Sequence, residues 1–217
     1  MKNTTLLNAR KNIYSQNGED GVIELLLEFF EIKSDSFCEF GAWDGIQLSN
    51  TYNLLKNKGW RGVYIEGDQN LYQDLIKLNE VWKDKVQTIN KYIDYKGENT
   101  LDNILKNTFL EKDFALLSID IDGMDYHVWD SFNEYRPKLV IIEVNSSFKP
   151  GNFTVPNKNK TGSCDGTSFS SMCELGLKKG YYPLIHFGNV FFGDKDFLNS
   201  KNYKINSDIN SLYNWPQ

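Results

Sequence analysis

The sequence predicts an α/β fold: a mostly parallel, seven-stranded sheet with helices on both faces and an antiparallel hairpin at its C-terminal edge. Three observations carry this. Short apolar runs of strand length alternate with longer segments of helical period, as in parallel sheets covered on both faces. Glycines and acidic residues gather where the apolar runs end. The last two runs, Tyr182 to His186 and Val190 to Phe192, are separated only by Phe187-Gly188-Asn189, too short for a crossover, so they must pair as a hairpin.

The elements follow in order. Asp20 to Glu31 carries Val22, Ile23, Leu25, Leu26, Leu27, Phe29 and Phe30 and reads as a helix entered from Asn17-Gly18-Glu19. Phe37 to Phe40, closed by Gly41, is a buried strand. Ser49 or Asn50 caps a helix from Thr51 to Lys58, which Gly59 ends. Strand Gly62 to Glu66 precedes a helix from about Asn70 to Asn79, strand Val86 to Ile89 a helix from Leu101 to Thr108. Strand Phe114 to Asp120, helix Tyr126 to Phe132 and strand Leu139 to Val144 follow, and helix Phe169 to Lys179 leads into the hairpin. A Rossmann-like half closed by such a hairpin is the methyltransferase layout rather than the purely parallel dehydrogenase one.

With 217 residues, 40% hydrophobic and 24% charged, the chain fits one globular domain. Residues 1–35 form an N-terminal arm and helix; the irregular stretch from Ser146 to Thr167, rich in Asn, Gly, Lys and Pro, reads as a substrate-side loop. A net charge of −5 with scattered Lys and Arg argues against nucleic-acid binding. Cys38, Cys164 and Cys173 form no CxxC pair, and Cys38 sits in an apolar run as a buried thiol. Met1 to Asn12 lacks the apolar core of a signal peptide, and no segment approaches the ~20 apolar residues of a membrane span, so a cytoplasmic protein is expected.

In such a sheet, ligands bind beyond the carboxyl ends of the strands. The first strand ends Glu39-Phe40-Gly41-Ala42-Trp43-Asp44-Gly45, where glycines permit a tight turn and close backbone approach. The pattern is neither GxGxxG nor a Lys-bearing phosphate loop. Acidic residues there repel a pyrophosphate but suit the ammonium of a methionine moiety. The second strand ends Glu66-Gly67-Asp68, an acid placed to accept ribose hydroxyls; Asp68 also suits a helix N-cap. Asp120, Asp122 and Asp125 after the fourth strand converge with Glu143 after the fifth. Crowded carboxylates need a cation, a shared proton or hydrogen-bond donors. Asp120, Asp122 and Glu143 suit a divalent ion such as Mg or Mn, or general-base work on a substrate hydroxyl; Asp125 suits a cap. His127, just past this turn, is a candidate substrate contact, His186 less so.

Tyr14-Ser15-Gln16-Asn17-Gly18-Glu19-Asp20-Gly21 resembles the N-terminal motif of FkbM-like S-adenosylmethionine-dependent methyltransferases. Phe37 to Gly45 with Leu48-Ser49-Asn50-Thr51 is similar to that family's cofactor motif. So are Gly59-Trp60-Arg61-Gly62, Tyr64 to Asp68, Ser118 to Gly123 and Ile142 to Asn145 to its later ones, and the likeness runs from about Tyr14 to Phe192. It implies that Glu39 and the turn Gly41, Ala42, Asp44 and Gly45 face the methionine part of S-adenosylmethionine, with Ser49 and Asn50 nearby. It places Glu66, Gly67 and Asp68 at the ribose, Asn90 to Tyr92 at the adenine, and Gln16 and Glu19 over the cofactor, with Asp120 also in contact. The acceptor it implies is a small molecule methylated on oxygen, such as a sugar, a secondary or surface-polysaccharide metabolite, or a phosphate-bearing compound. Thr154-Val155-Pro156 and Asp165-Gly166-Thr167 follow the family pattern, while the stretch between is polar and Lys-rich. The competing readings are a nicotinamide-dependent oxidoreductase, which lacks its glycine signature here, and a non-catalytic cofactor-binding protein.

Overall fold

A computed structural model describes residues 2–158 and 166–215. Cys164, Asp165 and most of the Lys-rich part of the 146–167 loop lie outside the described residues. The seven strands are β1 (Ser36–Phe40), β2 (Arg61–Glu66), β3 (Val86–Asn90), β4 (Leu116–Ile119), β5 (Leu139–Glu143), β6 (Tyr181–Phe187) and β7 (Asn189–Asp194). They lie in the order β3-β2-β1-β4-β5-β7-β6. The first five pair in parallel, and β7 runs antiparallel to both β5 and β6, as the hairpin spacing requires. The chain builds outward from β1 to β3, then returns to place β4 on the other side of β1. That reversal opens a crevice at the tips of β1 and β4.

Side-chain alternation on the strands splits the core into two layers. Cys38, Phe40, Val63, Ile65, Leu117, Ile119, Val140 and Ile142 face helices α6 (Leu101–Leu105), α7 (Asp125–Ser131) and α8 (Phe169–Lys178). Phe37, Tyr64, Leu116 and Ile141 face α1 (Asn3–Asn8), α2 (Glu19–Phe29), α3 (Tyr52–Lys58), α4 (Gln69–Leu75), α5 (Lys77–Trp82) and α9 (Lys195–Ser200). A period of two on strands buried on both faces explains why they read as continuous apolar runs. Cys38 and Cys173 are both free and buried in the first layer.

Four details differ from the sequence reading. The helix expected from Asn70 to Asn79 is two helices, α4 and α5, meeting at Ile76. The helix expected to reach Thr108 stops at Leu105. The flanks hold α1 and α9, short helices whose six residues each bury a single leucine (Leu6 and Leu198), too little periodicity to announce them. The hairpin is also tighter than expected, with only Gly188, at φ +93°, between β6 and β7.

The N-terminal arm is fixed over the crevice by one buried carboxylate. Asp20 Oδ2 accepts the N–H groups of Ile13, Tyr14 and Ser15 at 2.8, 2.7 and 2.8 Å, and the Ser15 hydroxyl at 2.8 Å. Ser15 then bridges to Leu48 in the loop after β1. Glu19 accepts the Asn17 N–H and the Asn189 side-chain amide, tying the arm to the hairpin as well. Asp20→Ala strands three backbone donors at once, and hydrogen bonds to a charged group are each worth about 1.5–3 kcal/mol. Urea denaturation is expected to show a loss of at least about 2 kcal/mol; an unchanged midpoint would mean that the arm is not held this way.

Candidate active site

The crevice starts from a steric constraint. Gly41, at φ +72°, donates its N–H to the Ile65 carbonyl, as does Ala42. A Cβ on Gly41 would stand 1.5 Å from the Asp120 carbonyl oxygen, so only glycine lets the tips of β1 and β4 approach this closely. Three non-glycine residues with positive φ stand on the rim: Trp43 (49°), Leu48 (58°) and Asp122 (52°). Such conformations cost energy and persist where surrounding bonds hold them.

Two carboxylates organise the β1 and β2 tips. Glu39 accepts the hydroxyls of Ser49 and Thr51, both at 2.6 Å, and the Asn50 N–H at 2.9 Å. Burial raises its pKa against these bonds, which favour the charged form. Ser49 in turn accepts the N–H groups of Thr51 and Tyr52, but α3 starts at Tyr52 and Thr51, not Ser49 or Asn50, stands at its N-cap. Glu66 accepts the Trp43 N–H at 2.9 Å and the Asp68 N–H at 2.8 Å, which leaves lone pairs on both oxygens.

Two cavities meet here. One, of about 630 Å³, lies over the tips of β1 and β2 and is lined by Glu39, Gly41, Ala42, Ser49, Asn50, Glu66, Gly67 and Tyr92 among others. The Tyr92 ring lies where a Cβ on Gly67 would be, 2.4 Å from that position, so the glycine admits the ring. The second, of about 700 Å³, lies over β5 and the hairpin and includes Asn17, Ser146, Asn189 and Trp215. Gln16, Asp120, Asp122 and Glu143 line both.

Other residues singled out from sequence sit off these walls. Asp44 accepts the N–H groups of Ile46 and Gln47 and shapes the turn. Gly45 packs where a Cβ would meet Leu78 at 2.5 Å. Asp68 caps α4 through Asn70 and Leu71, and Glu19 anchors the arm. His127 is buried with Nε2 2.7 Å from the Pro156 carbonyl, so it ties α7 to the 146–167 loop. Asp125 accepts the N–H groups of Ile121 and Gly123 and closes the turn after β4. His186 stacks on Tyr213, takes the Asn214 N–H and bonds Ser146; burial lowers its pKa to about 4, so it stays neutral. Asn17 belongs to the N-terminal motif and Ser146 opens the substrate-side loop, whereas no motif pointed to Asn189 and Trp215, because a hairpin tip and the C-terminal segment join this cavity only in three dimensions.

Asp120, Asp122 and Glu143 bring one carboxylate oxygen each within 4.8 Å of one another. Among the described residues, none of the three is in a salt bridge. The surrounding walls, then the charges of Glu143, Asp125 and Asp122, raise Asp120 to about 9. Desolvation, then the neighbouring acids Asp125 and Asp122, raise Glu143 too.

The fold is that of class I S-adenosylmethionine-dependent methyltransferases. An O-methyltransferase from Bacillus cereus, solved with S-adenosylhomocysteine, matches at TM-score 0.51 and 14% identity over 79% of this chain and 78% of that one. A protein from Klebsiella pneumoniae described provisionally as an O-methyltransferase matches at 0.51 and 10%, over 88% and 89%. One from Galdieria sulphuraria, described provisionally as a sarcosine dimethylglycine methyltransferase, matches at 0.52 and 12%, over 76% of this chain; the chain spans only 62% of that protein. By sequence, no family model and no curated protein matches.

The raised pair has a consequence for stability. A carboxyl whose folded pKa lies above its unfolded value stabilises the fold below the ordinary carboxylate range and loses that contribution as pH rises toward about 9. Urea midpoints of the ligand-free protein are therefore expected to fall between pH 5 and 9 more steeply than those of Asp120→Asn. Parallel curves would mean that Asp120 is not raised.

Proposed function

We propose that the chain is an S-adenosylmethionine-dependent methyltransferase acting on a hydroxyl of a small-molecule acceptor. The observation that carries this reading is the pair of adjoining cavities with a common carboxylate wall. In this reading the cofactor lies over the tips of β1 and β2, and the residues there fit it. Glu66 retains acceptor capacity for ribose hydroxyls, Tyr92 offers a ring face beside Gly67 for the adenine, and Gly41 keeps the crevice free of a side chain. Glu39 supports the cradle chiefly by holding the loop Ser49–Thr51. Bound there, the cofactor supplies an electrophilic methyl group on a sulfonium.

The chain's own residues position the acceptor and manage one proton. The acceptor hydroxyl sits in the second cavity against Asp120, Asp122 and Glu143. The ionised member of the Asp120–Glu143 pair would take its proton as that oxygen is methylated. A carboxylate raised in pKa is a stronger base for this step. The same three oxygens also suit a hard divalent ion such as Mg or Mn, which would serve the same deprotonation. A phosphate-bearing acceptor fits less well, since three carboxylates face it. The motif likeness to FkbM-like enzymes supports oxygen as the methylated atom and a sugar or secondary metabolite as the acceptor.

Calorimetric titration with S-adenosylhomocysteine and with NAD tests the cofactor. The first is expected to bind and the second not, and Glu66→Ala is expected to weaken the first at least about tenfold, the worth of a hydrogen bond to a charged group. Binding of NAD alone would favour the oxidoreductase reading. With labelled S-adenosylmethionine and a panel of hydroxyl acceptors, Asp120→Asn is expected to cut turnover by about 10² or more; full activity in that variant would remove the carboxylate from the chemistry.

A further inference from the structure

Behind the wall of the second cavity lies a histidine to which the proposed chemistry gives no part. His186, on β6, is fully buried, stacks on Tyr213 with ring centroids 4.6 Å apart and packs against Phe169. The C-terminal segment decides where its proton sits. The backbone N–H of Asn214 can only donate, and it meets Nδ1 at 3.3 Å, so Nδ1 carries a lone pair. His186 is neutral, so its one ring proton is on Nε2, which stands 2.9 Å from the Ser146 hydroxyl oxygen. The histidine donates and the serine accepts. This is the reverse of a histidine that activates a serine, and it leaves the hydroxyl's own proton in need of an acceptor. Among the described residues the Val144 carbonyl accepts it, but at 3.5 Å, far beyond the about 2.7–2.8 Å that O–H···O bonds prefer. Ser147, next along the same wall, differs: its hydroxyl is spent on Asn145 Oδ1 at 2.6 Å. Ser146 is 7% exposed and lines the cavity, and its backbone carbonyl is taken by the Tyr213 hydroxyl, so the residue is held from both sides.

We propose that Ser146 donates a hydrogen bond to the methyl acceptor, and that His186, its tautomer set by the C-terminal segment, is the positioning residue that turns the hydroxyl proton toward the cavity. This rests on the methyltransferase reading and narrows its acceptor. Besides the hydroxyl that is methylated, the molecule carries a second oxygen with a free lone pair, as an ether, a carbonyl or a further hydroxyl. That oxygen meets Ser146, on the loop after β5. A donor aimed by the fold before the ligand arrives leaves less to be ordered on binding, so it adds affinity as well as selectivity. The same arrangement gives Tyr213 and Asn214 a part in the site without contact to the ligand. They act through His186: one stacks on its ring, the other fixes its tautomer.

The test uses the full chain saturated with S-adenosylhomocysteine and two matched probes, 2-methoxyethanol and 1-butanol. The second has a methylene where the first has its ether oxygen. Binding is read from the backbone amide resonances of Ser147 and Gly188 on the cavity wall. In the wild type, 2-methoxyethanol is expected to bind about fivefold more tightly than 1-butanol, the worth of one hydrogen bond, and Ser146→Ala is expected to erase that preference. Two substitutions of His186 separate aiming from packing. His186→Gln keeps an N–H for Ser146 but loses the ring, and is expected to retain most of the preference. His186→Phe keeps a ring against Tyr213 but has no donor, and is expected to lose it. S-adenosylhomocysteine affinity is expected to stay unchanged in all three variants, which shows that each is folded. Long-range proton–nitrogen spectra of the wild type are expected to place the imidazole proton on Nε2. A proton on Nδ1, equal binding of the two probes to the wild type, or a preference that survives in Ser146→Ala or His186→Phe would overturn the proposal. So would the absence of any saturable shift with 2-methoxyethanol. Failure of S-adenosylhomocysteine to bind the wild type would instead bring down the cofactor reading.

Discussion

The crevice depends on the contact between Gly41 and the carbonyl of Asp120. Because β1 and β4 are neighbours whose connections leave in opposite directions, a crevice opens at their tips. Gly41 allows the strands to meet there without a side chain between them. The carboxylates of the two cavities hang from these two tips or from the strands beside them. Glu39 and the β1 turn shape one cavity, Asp120 and Asp122 divide it from the next, and Glu66 and Glu143 border the two sides. A methyl side chain at position 41 would push the strands apart and move all of these together.

Around that contact, buried carboxylates do most of the positioning, and each does it by collecting donors. Asp20 gathers the arm, Glu39 the loop into α3, Glu66 the Trp43 and Asp68 amides, and Asp125 the turn after β4. A carboxylate can accept about four hydrogen bonds, so one side chain can fix several irregular residues whose backbone groups would otherwise be unpaired. The price is negative charge held close together, and it shows at Asp120 and Glu143, where among the described residues no salt bridge offsets the repulsion. The supporting acids are saturated by the fold; the wall between the cavities is not. That contrast separates residues that build the site from residues available to a ligand.

Much of this was legible in the chain itself. Apolar runs of strand length, glycines at Gly41, Gly59 and Gly188, and acids after β1, β2, β4 and β5 determined the sheet, its parallel body, its antiparallel edge and the end at which the cavities open. These are local properties: period, turn chemistry and the distance a connection can span. Asp120, Asp122 and Glu143 were recoverable for the same reason, since each sits at the end of a strand that announces itself. Tertiary structure alone decided which acids are spent on the fold. Asp44, Asp68, Glu19 and Asp125 look like Asp122 in sequence, yet their oxygens are filled by nearby N–H groups. It also decided that Asn189 and Trp215, remote in the chain, stand on one wall with them. Hydrogen-bond saturation and cavity walls arise between segments distant in sequence, and no local pattern encodes them.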